Sequence, residues 1–433
     1  AQEQGDLEAA LEQLDVATKM DMTNAPMLLA LGQIARDAGQ LDRAEKSYRT
    51  LLMIVRRRGP DEAVEVGLGE VLYELHAIAS AHGDREKADE LISSALEATA
   101  QSQAEALRFA EALTSRGVPE LAVSGLERRL AVAEDAGEQA RLLSALAGIL
   151  DTSLGKHGEA LERRLSALRK IPSDLELHAA ARSLALRLEA TRRYVELVRE
   201  VAEGHRRRED APKVARLFLL AGTALEEDVA DLAVASEYYR RAEDLAEDAL
   251  RTTARVALAR TAAAQGDQAE QLRIFELLVR EPSVSDLERT EMYYRLAEAQ
   301  LANGATTESG LATLKVAFER EPRHAQAATA LAAVAKRGEA SDALFAFYEK
   351  VARGSLDDGI TLELLEEKSK RPGATAATFR EATERALAAR APSRAEVFLV
   401  RLIELADAGQ ASDDEQRWAL LSLTDLREAA GDV

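Results

Sequence analysis

No cysteine occurs among the 433 residues, which removes disulfides, thiolate nucleophiles and Cys-ligated zinc or iron–sulfur centres, and leaves the redox compartment unspecified. Aromatic residues make up 4% and prolines number nine, so neither a large aromatic core nor a proline-rich linker is available. No window approaches the ~18 uninterrupted apolar residues of a membrane span, so direct membrane insertion is not expected. The formal charge of −20 repels phosphate polymers and argues against general nucleic-acid binding. The opening stretch AQEQGDLEAALEQL lacks an initiator Met, a basic segment and an apolar run. It reads as a piece of a longer polypeptide rather than as a secretory signal.

What remains is 47% hydrophobic and 30% charged, dominated by Ala, Leu, Glu and Arg, a composition that favours closely packed helices. Gly39-Gln-Leu-Asp-Arg-Ala repeats the order of Gly5-Asp-Leu-Glu-Ala-Ala 34 residues on, and Gly83 and Gly117 stand the same 34 apart. A fixed interval of this size marks stacked supersecondary units. Each such Gly closes one helical run and opens the next, so each unit reads as a helix hairpin. The second helices share an interior pattern of Ala44, Tyr48 and Leu51; Ala88, Ile92 and Ala95; Ala235, Tyr239 and Ala242; Leu344, Tyr348 and Val351. Spacing by four and then three puts each trio on one face, where a small residue lets the paired helix approach and a large one fills the gap to the next hairpin.

The unit Ala25 to Arg58, with Leu31-Gly32 in its first helix, Gly39 at the turn and then Ala44, Tyr48 and Leu51, resembles a tetratricopeptide repeat. Pro172, Pro282 and Pro322 stand after second helices, where that family ends a repeat. The expected fold is all-α: a right-handed solenoid of stacked antiparallel hairpins, with a repeat array over residues 1–353 and degenerate repeats over 354–433 continuing it. The pattern is irregular in places. The segment LEATRRYVELV has no turn glycine, and beyond Gly354 the phase is lost.

Catalytic signatures are missing. Gly67 and Gly69 in GLGEVL are two glycines of a dinucleotide fingerprint without the third or a preceding strand. The six histidines never stand three or four apart, so no pair shares a helical face for a metal. Acidic runs such as Glu226-Glu227-Asp228 and Asp357-Asp358 read as helix-end solvation or capping. No enzyme activity, metal or cofactor is expected.

In the family that the chain resembles, the first helices line a groove that holds peptides or extended partner segments. Carried onto this sequence, the stripe comprises Leu29, Gln33 and Arg36; Tyr73, Ala77 and Ser80; Leu107, Glu111 and Thr114; Val256, Arg260 and Ala263; Arg295 and Ala299; Thr329 and Lys336. Partner contact is expected at Gln33, Arg36, Tyr73, Glu111, Arg260, Arg295 and Lys336, since Arg and Tyr carry disproportionate interface energy. The Lys and Asn pair with which some members grip a C-terminal carboxylate is replaced by Leu29 with Gln33, Tyr73 with Ala77 and Arg295 with Ala299. Two basic triplets, Arg56-Arg57-Arg58 and Arg206-Arg207-Arg208, end second helices and form a candidate edge patch for an acidic partner. Cations there also complement the helix dipole, by ~0.3 to 1 kcal/mol each. The expected function is a non-enzymatic scaffold for proteins or peptides. The alternative is a regulatory module of a larger signalling protein that senses a peptide or small ligand.

Overall fold

Helix starts in this chain are written in short polar side chains. Asn24, Asp84, Ser102, Asp135 and Asp174 each accept a backbone N–H of the first turn that follows, satisfying a donor the helix itself leaves open. The computed structural model of the chain describes residues 2–57, 65–205, 207–302, 307–320, 329, 331–334, 342–354 and 357–430, and no strand occurs among them.

The chain divides into two compact units, Ala1–Ala230 and Asp231–Val433. The first contains α1 (Gln2–Met20), α2 (Ala25–Asp37), α3 (Leu41–Arg56), α4 (Leu68–Ala81), α5 (Arg85–Thr99), α6 (Gln103–Ser115), α7 (Pro119–Val132), α8 (Ala136–Thr152), α9 (His157–Lys170), α10 (Leu175–Arg187), α11 (Thr191–Gly204) and α12 (Ala211–Ala224). From α2 to α11 these pair as successive hairpins, and a π turn over Leu225–Val229 follows α12. The second contains α13 (Leu232–Leu245), α14 (Asp248–Gln265), α15 (Gln268–Arg280), α16 (Asp286–Ala302), α17 (Thr307–Arg320), α18 (Asp342–Gly354), α19 (Asp358–Ser369), α20 (Ala376–Ala388), α21 (Pro392–Asp407) and α22 (Asp413–Ala430).

Each unit is a helical-repeat stack, and the expected interior pattern explains how it closes. Ala44, Tyr48 and Leu51 are all 0% exposed. A Cβ on Gly32 would stand 2.3 Å from the Tyr48 ring, so only glycine lets α2 lie against that aromatic face. Tyr239 and Tyr348 are fully buried at the matching places of the second unit. Beyond Gly354 the same four-then-three spacing recurs as Ala395, Leu399 and Leu402, each 0% exposed, with Leu where earlier hairpins have Tyr. Burying each of these large side chains contributes roughly 1.5 to 3 kcal/mol.

Outside this core, charges bridge second helices of successive hairpins. Glu45 pairs with Lys87 at 3.0 Å, Glu127 with Arg163 at 2.8 Å and Glu162 with Arg193 at 2.9 Å. In the second unit Arg240 of α13 pairs with Glu270 of α15 at 3.5 Å. Exposed pairs are worth about 0.2 to 1 kcal/mol each, so the ladder tunes register more than stability.

The hairpin turns also account for the missing glycine. Gly39 sits at φ 77°, and Gln40 N–H donates to the Ala35 carbonyl at 2.8 Å. The α10–α11 turn repeats this bond between Ala190 and Ala185 at 2.8 Å, and Glu189 takes the left-handed place at φ 54°. A side chain there costs roughly 1 to 2 kcal/mol. Gly39→Ala should therefore lower the urea midpoint by about 1 kcal/mol of stability. Glu189→Gly should raise it by less, because glycine also loosens the unfolded chain. Shifts of the same sign would contradict the shared turn geometry.

Candidate functional site

Two grooves form on first-helix faces, one within each unit. In the first unit Leu29, Gln33 and Arg36 of α2 face Glu70 of α4 and Arg108, Glu111 and Arg116 of α6 across a concavity of about 460 Å³. Three of the expected contact residues, Gln33, Arg36 and Glu111, come together here. Tyr73 does not line this groove. It is half-buried against the core around Phe109, its ring 5.8 Å from that of His76. On α4 the groove-lining group is Glu70, with Glu74 buried one turn further along the same face; Tyr73, one residue before Glu74, is rotated about 100° away from it.

Those two glutamates lie at 3% and 0% exposure in a helix that is otherwise mostly apolar. Glu74 accepts from Arg36 Nη1 at 2.5 Å and from the Tyr48 hydroxyl at 3.1 Å, and it pairs with Arg116 Nη2 at 2.5 Å. Glu70 accepts from Arg116 at 3.1 Å, with Arg108 Nε 3.7 Å away. Three guanidinium groups from α2 and α6 are thus fixed around two carboxylates from α4. Burial works against the Arg36 cation, and the Glu74 charge together with Tyr48 and Asp37 more than offsets it, so its pKa lies above the ordinary value. Burial and then the Glu74 charge push the Tyr48 hydroxyl up as well, which keeps it a donor. The spacing of Glu70 and Glu74 by four within an apolar run was the sequence signal for this network; reading the stripe through Tyr73 passed over it.

The second unit's groove has a volume of about 580 Å³. Val256, Arg260 and Ala263 of α14 and Arg295 and Ala299 of α16 line it, together with Met292 and Phe275. The first five are the residues that the stripe assigns to α14 and α16. Arg295 Nε donates to Glu291 at 2.9 Å, which orients its guanidinium along the helix. Lys336 lies outside the described residues.

The basic edge is partly visible. Arg56 and Arg57 are exposed at the end of α3, and Arg207 and Arg208 are exposed in the connection before α12; Arg58 and Arg206 lie outside the described residues. Of the acidic runs, Asp228 and Glu227 accept from Arg182 of α10, with bonds of 2.6 to 2.7 Å, and Asp357 caps α19. Gly69 of the glycine pair serves packing: a Cβ would lie 3.0 Å from both the Ala95 carbonyl and the Phe109 ring. Among the described residues no group of three His, Asp or Glu is placed to hold a metal. No described helix is long and apolar enough to cross a membrane.

Neither a protein-family model nor a curated protein matches the chain. Among solved structures, one described as Naa15/Naa10 bound to HypK-THB is similar over 94% of this chain at 14% identity and a TM-score of 0.37. This chain spans 61% of that neighbour's length. A second, YrrB, described as a tetratricopeptide-repeat protein with an unusual peptide-binding site, is 21% identical over 44% of this chain and 91% of its own, with a TM-score of 0.30. The class is set by the chain's own geometry: all-α, built of stacked antiparallel helix hairpins.

The buried polar groups are open to two direct tests. Arg116→Ala leaves the buried Glu70 and Glu74 short of a cation and should cost about 3 kcal/mol by urea titration. Adding Glu74→Gln should recover some of that loss; no recovery would mean that Arg116 acts by packing alone. The second concerns His178, 3% exposed on α10. Its Nε2–H donates to the Pro172 carbonyl at 3.0 Å, so Nδ1 accepts from the Tyr194 hydroxyl at 2.9 Å. Burial pushes its pKa below the ordinary 6.5, against the Pro172 hydrogen bond and the Asp174 charge. The unfolded chain then binds the proton more readily, so this contribution is complete above about pH 6.5 and is lost as pH falls below it. The stability difference between the wild type and His178→Gln should shrink from about pH 7.5 to about pH 5. A constant difference would rule the linkage out.

Proposed function

We propose that the chain is a non-enzymatic interaction scaffold that holds segments of partner proteins against its first-helix faces. The observation that carries this reading is the second unit's groove, whose apolar floor of Val256, Ala263, Phe275, Met292 and Ala299 is flanked by Arg260, Arg295 and Glu298. An apolar floor with a few polar groups at its edge suits a peptide whose side chains alternate between the two chemistries. The first unit's groove supports the same reading in a more polar form. Its buried carboxylates are committed to arginines, which disposes them to hold side chains in place rather than to carry protons. Such a surface binds by being ordered beforehand, so that little conformational freedom is lost on docking.

The test is photo-crosslinking from single positions. A benzophenone side chain at Gln33 or Ala299 should capture a partner, and the same group at Arg49 or Glu276, on exposed faces of α3 and α15, should not. Filling the second groove with Ala263→Trp should abolish capture at Ala299 and spare capture at Gln33. Equal capture from all four positions would refute the assignment.

A further inference from the structure

A separate cavity of about 250 Å³ opens within the first unit, between the N-terminal turns of α10 and α12. Pro172, Leu175, Pro212, Leu217 and Leu220 form its walls, and Lys213 and Arg216 stand at its rim. Among the described residues no carboxylate lines it. Leu175 opens α10 and is 53% exposed, a large apolar side chain left facing water at a helix start. The cavity exists because the connection from α11 to α12 runs through a 3-10 turn at Arg208–Asp210, and Pro212 then sets the first turn of α12.

The cations at the rim differ from those elsewhere in the chain. Several arginines of the first unit's second helices, such as Arg129, Arg163 and Arg193, are tied to a carboxylate of a neighbouring hairpin. Lys213 instead donates to His205 Nε2 at 2.9 Å, and His205 donates from Nδ1 to the Val201 carbonyl at 2.7 Å. That chain of bonds makes the imidazole an acceptor toward Lys213, so the ammonium charge is oriented but not neutralised. Arg216 is exposed and has no ion pair among the described residues. Two of the nearby acids are already engaged. Asp174 accepts the Glu176 and Leu177 N–H groups at 2.9 and 3.1 Å, and Glu209 pairs with Arg207 at 3.4 Å. The positive ends of two helices point the same way as these cations, so the mouth is electropositive on a chain of net charge −20.

We propose that this cavity docks an acidic segment of a partner protein, seating one large apolar side chain between Leu175 and Leu217 and setting flanking carboxylates on Lys213 and Arg216. The volume suits one such side chain, and the charge pattern selects its neighbours. This site goes beyond the groove reading and does not depend on it, since it shares no residue with either groove.

The test uses the whole chain, methyl-labelled at leucine, and three peptides: acetyl-Glu-Glu-Phe-Glu-Glu-amide, its Phe-to-Ala analogue, and its Glu-to-Lys analogue. The first should shift the Leu175 and Leu220 methyl resonances and bind about tenfold tighter than either analogue. Raising salt from about 50 to about 300 mM should weaken it several-fold. Lys213→Gln with Arg216→Gln should bring the first peptide down to the level of its Ala analogue, with distant methyl resonances unchanged as proof of folding. Those substitutions should leave crosslinking from Gln33 and Ala299 intact, which separates failure here from failure of the groove reading. Equal binding of the Lys-containing peptide, or no shift at Leu175, would overturn the proposal; an equal shift with inorganic sulfate alone would reduce the site to a general anion contact and overturn it too.

Discussion

The contact on which the first repeat depends is the approach of a helix backbone to the face of a buried tyrosine. Gly32 and Ala44 are small enough for α2 and α3 to close on Tyr48, whose ring then fills the space toward the next hairpin. Because the interior is close-packed, any larger group at Gly32 must push the helices apart. Phe109 of α6 has a similar role farther along the stack, pressed between Gly69 and Gly125, where added Cβ atoms would lie 3.0 and 2.7 Å from its ring. Small residues therefore sit where an aromatic ring faces them, and each hairpin is shaped by its neighbour.

From that packing the polar site follows. The Tyr48 ring belongs to the core, but its hydroxyl donates to Glu74 in the next hairpin, and Glu74 in turn holds Arg36 of the hairpin before and Arg116 of the hairpin after. One carboxylate thus joins three hairpins and fixes the guanidinium groups that line the groove. Such a buried set gains little net stability over an apolar one, because desolvation offsets much of the attraction. Its effect is positional: the arginines are held in one arrangement before anything binds. The second unit's groove is built differently, with an apolar floor and ion pairs kept to the helix surface. The two grooves accordingly present different chemistry from the same type of repeat.

Charge is arranged with similar economy. Pairs such as Glu127 with Arg163 and Glu162 with Arg193 neutralise the second-helix faces between successive hairpins. The mouth between α10 and α12, by contrast, is lined by Lys213 and Arg216 and, among the described residues, by no carboxylate. It arises at the connection between α11 and α12, which interrupts the regular hairpin spacing.

The hairpins, their turns and the small-then-large interior spacing were legible in the sequence, because each depends on residues three, four or 34 apart in a regular helix, and local geometry fixes those relations. The same locality let α14 and α16 yield Val256, Arg260, Ala263, Arg295 and Ala299 as groove residues. Three things were settled only by tertiary structure. Glu189 occupies a left-handed turn because the Ala190 to Ala185 bond and the packing of α10 on α11 hold it there, although its own preference opposes it. Glu70, and not Tyr73, lines the first groove, because helix rotation is set by what each side chain meets across the stack. And the cavity beside Lys213 and Arg216 brings the start of α10 against α12, two segments that no local pattern relates.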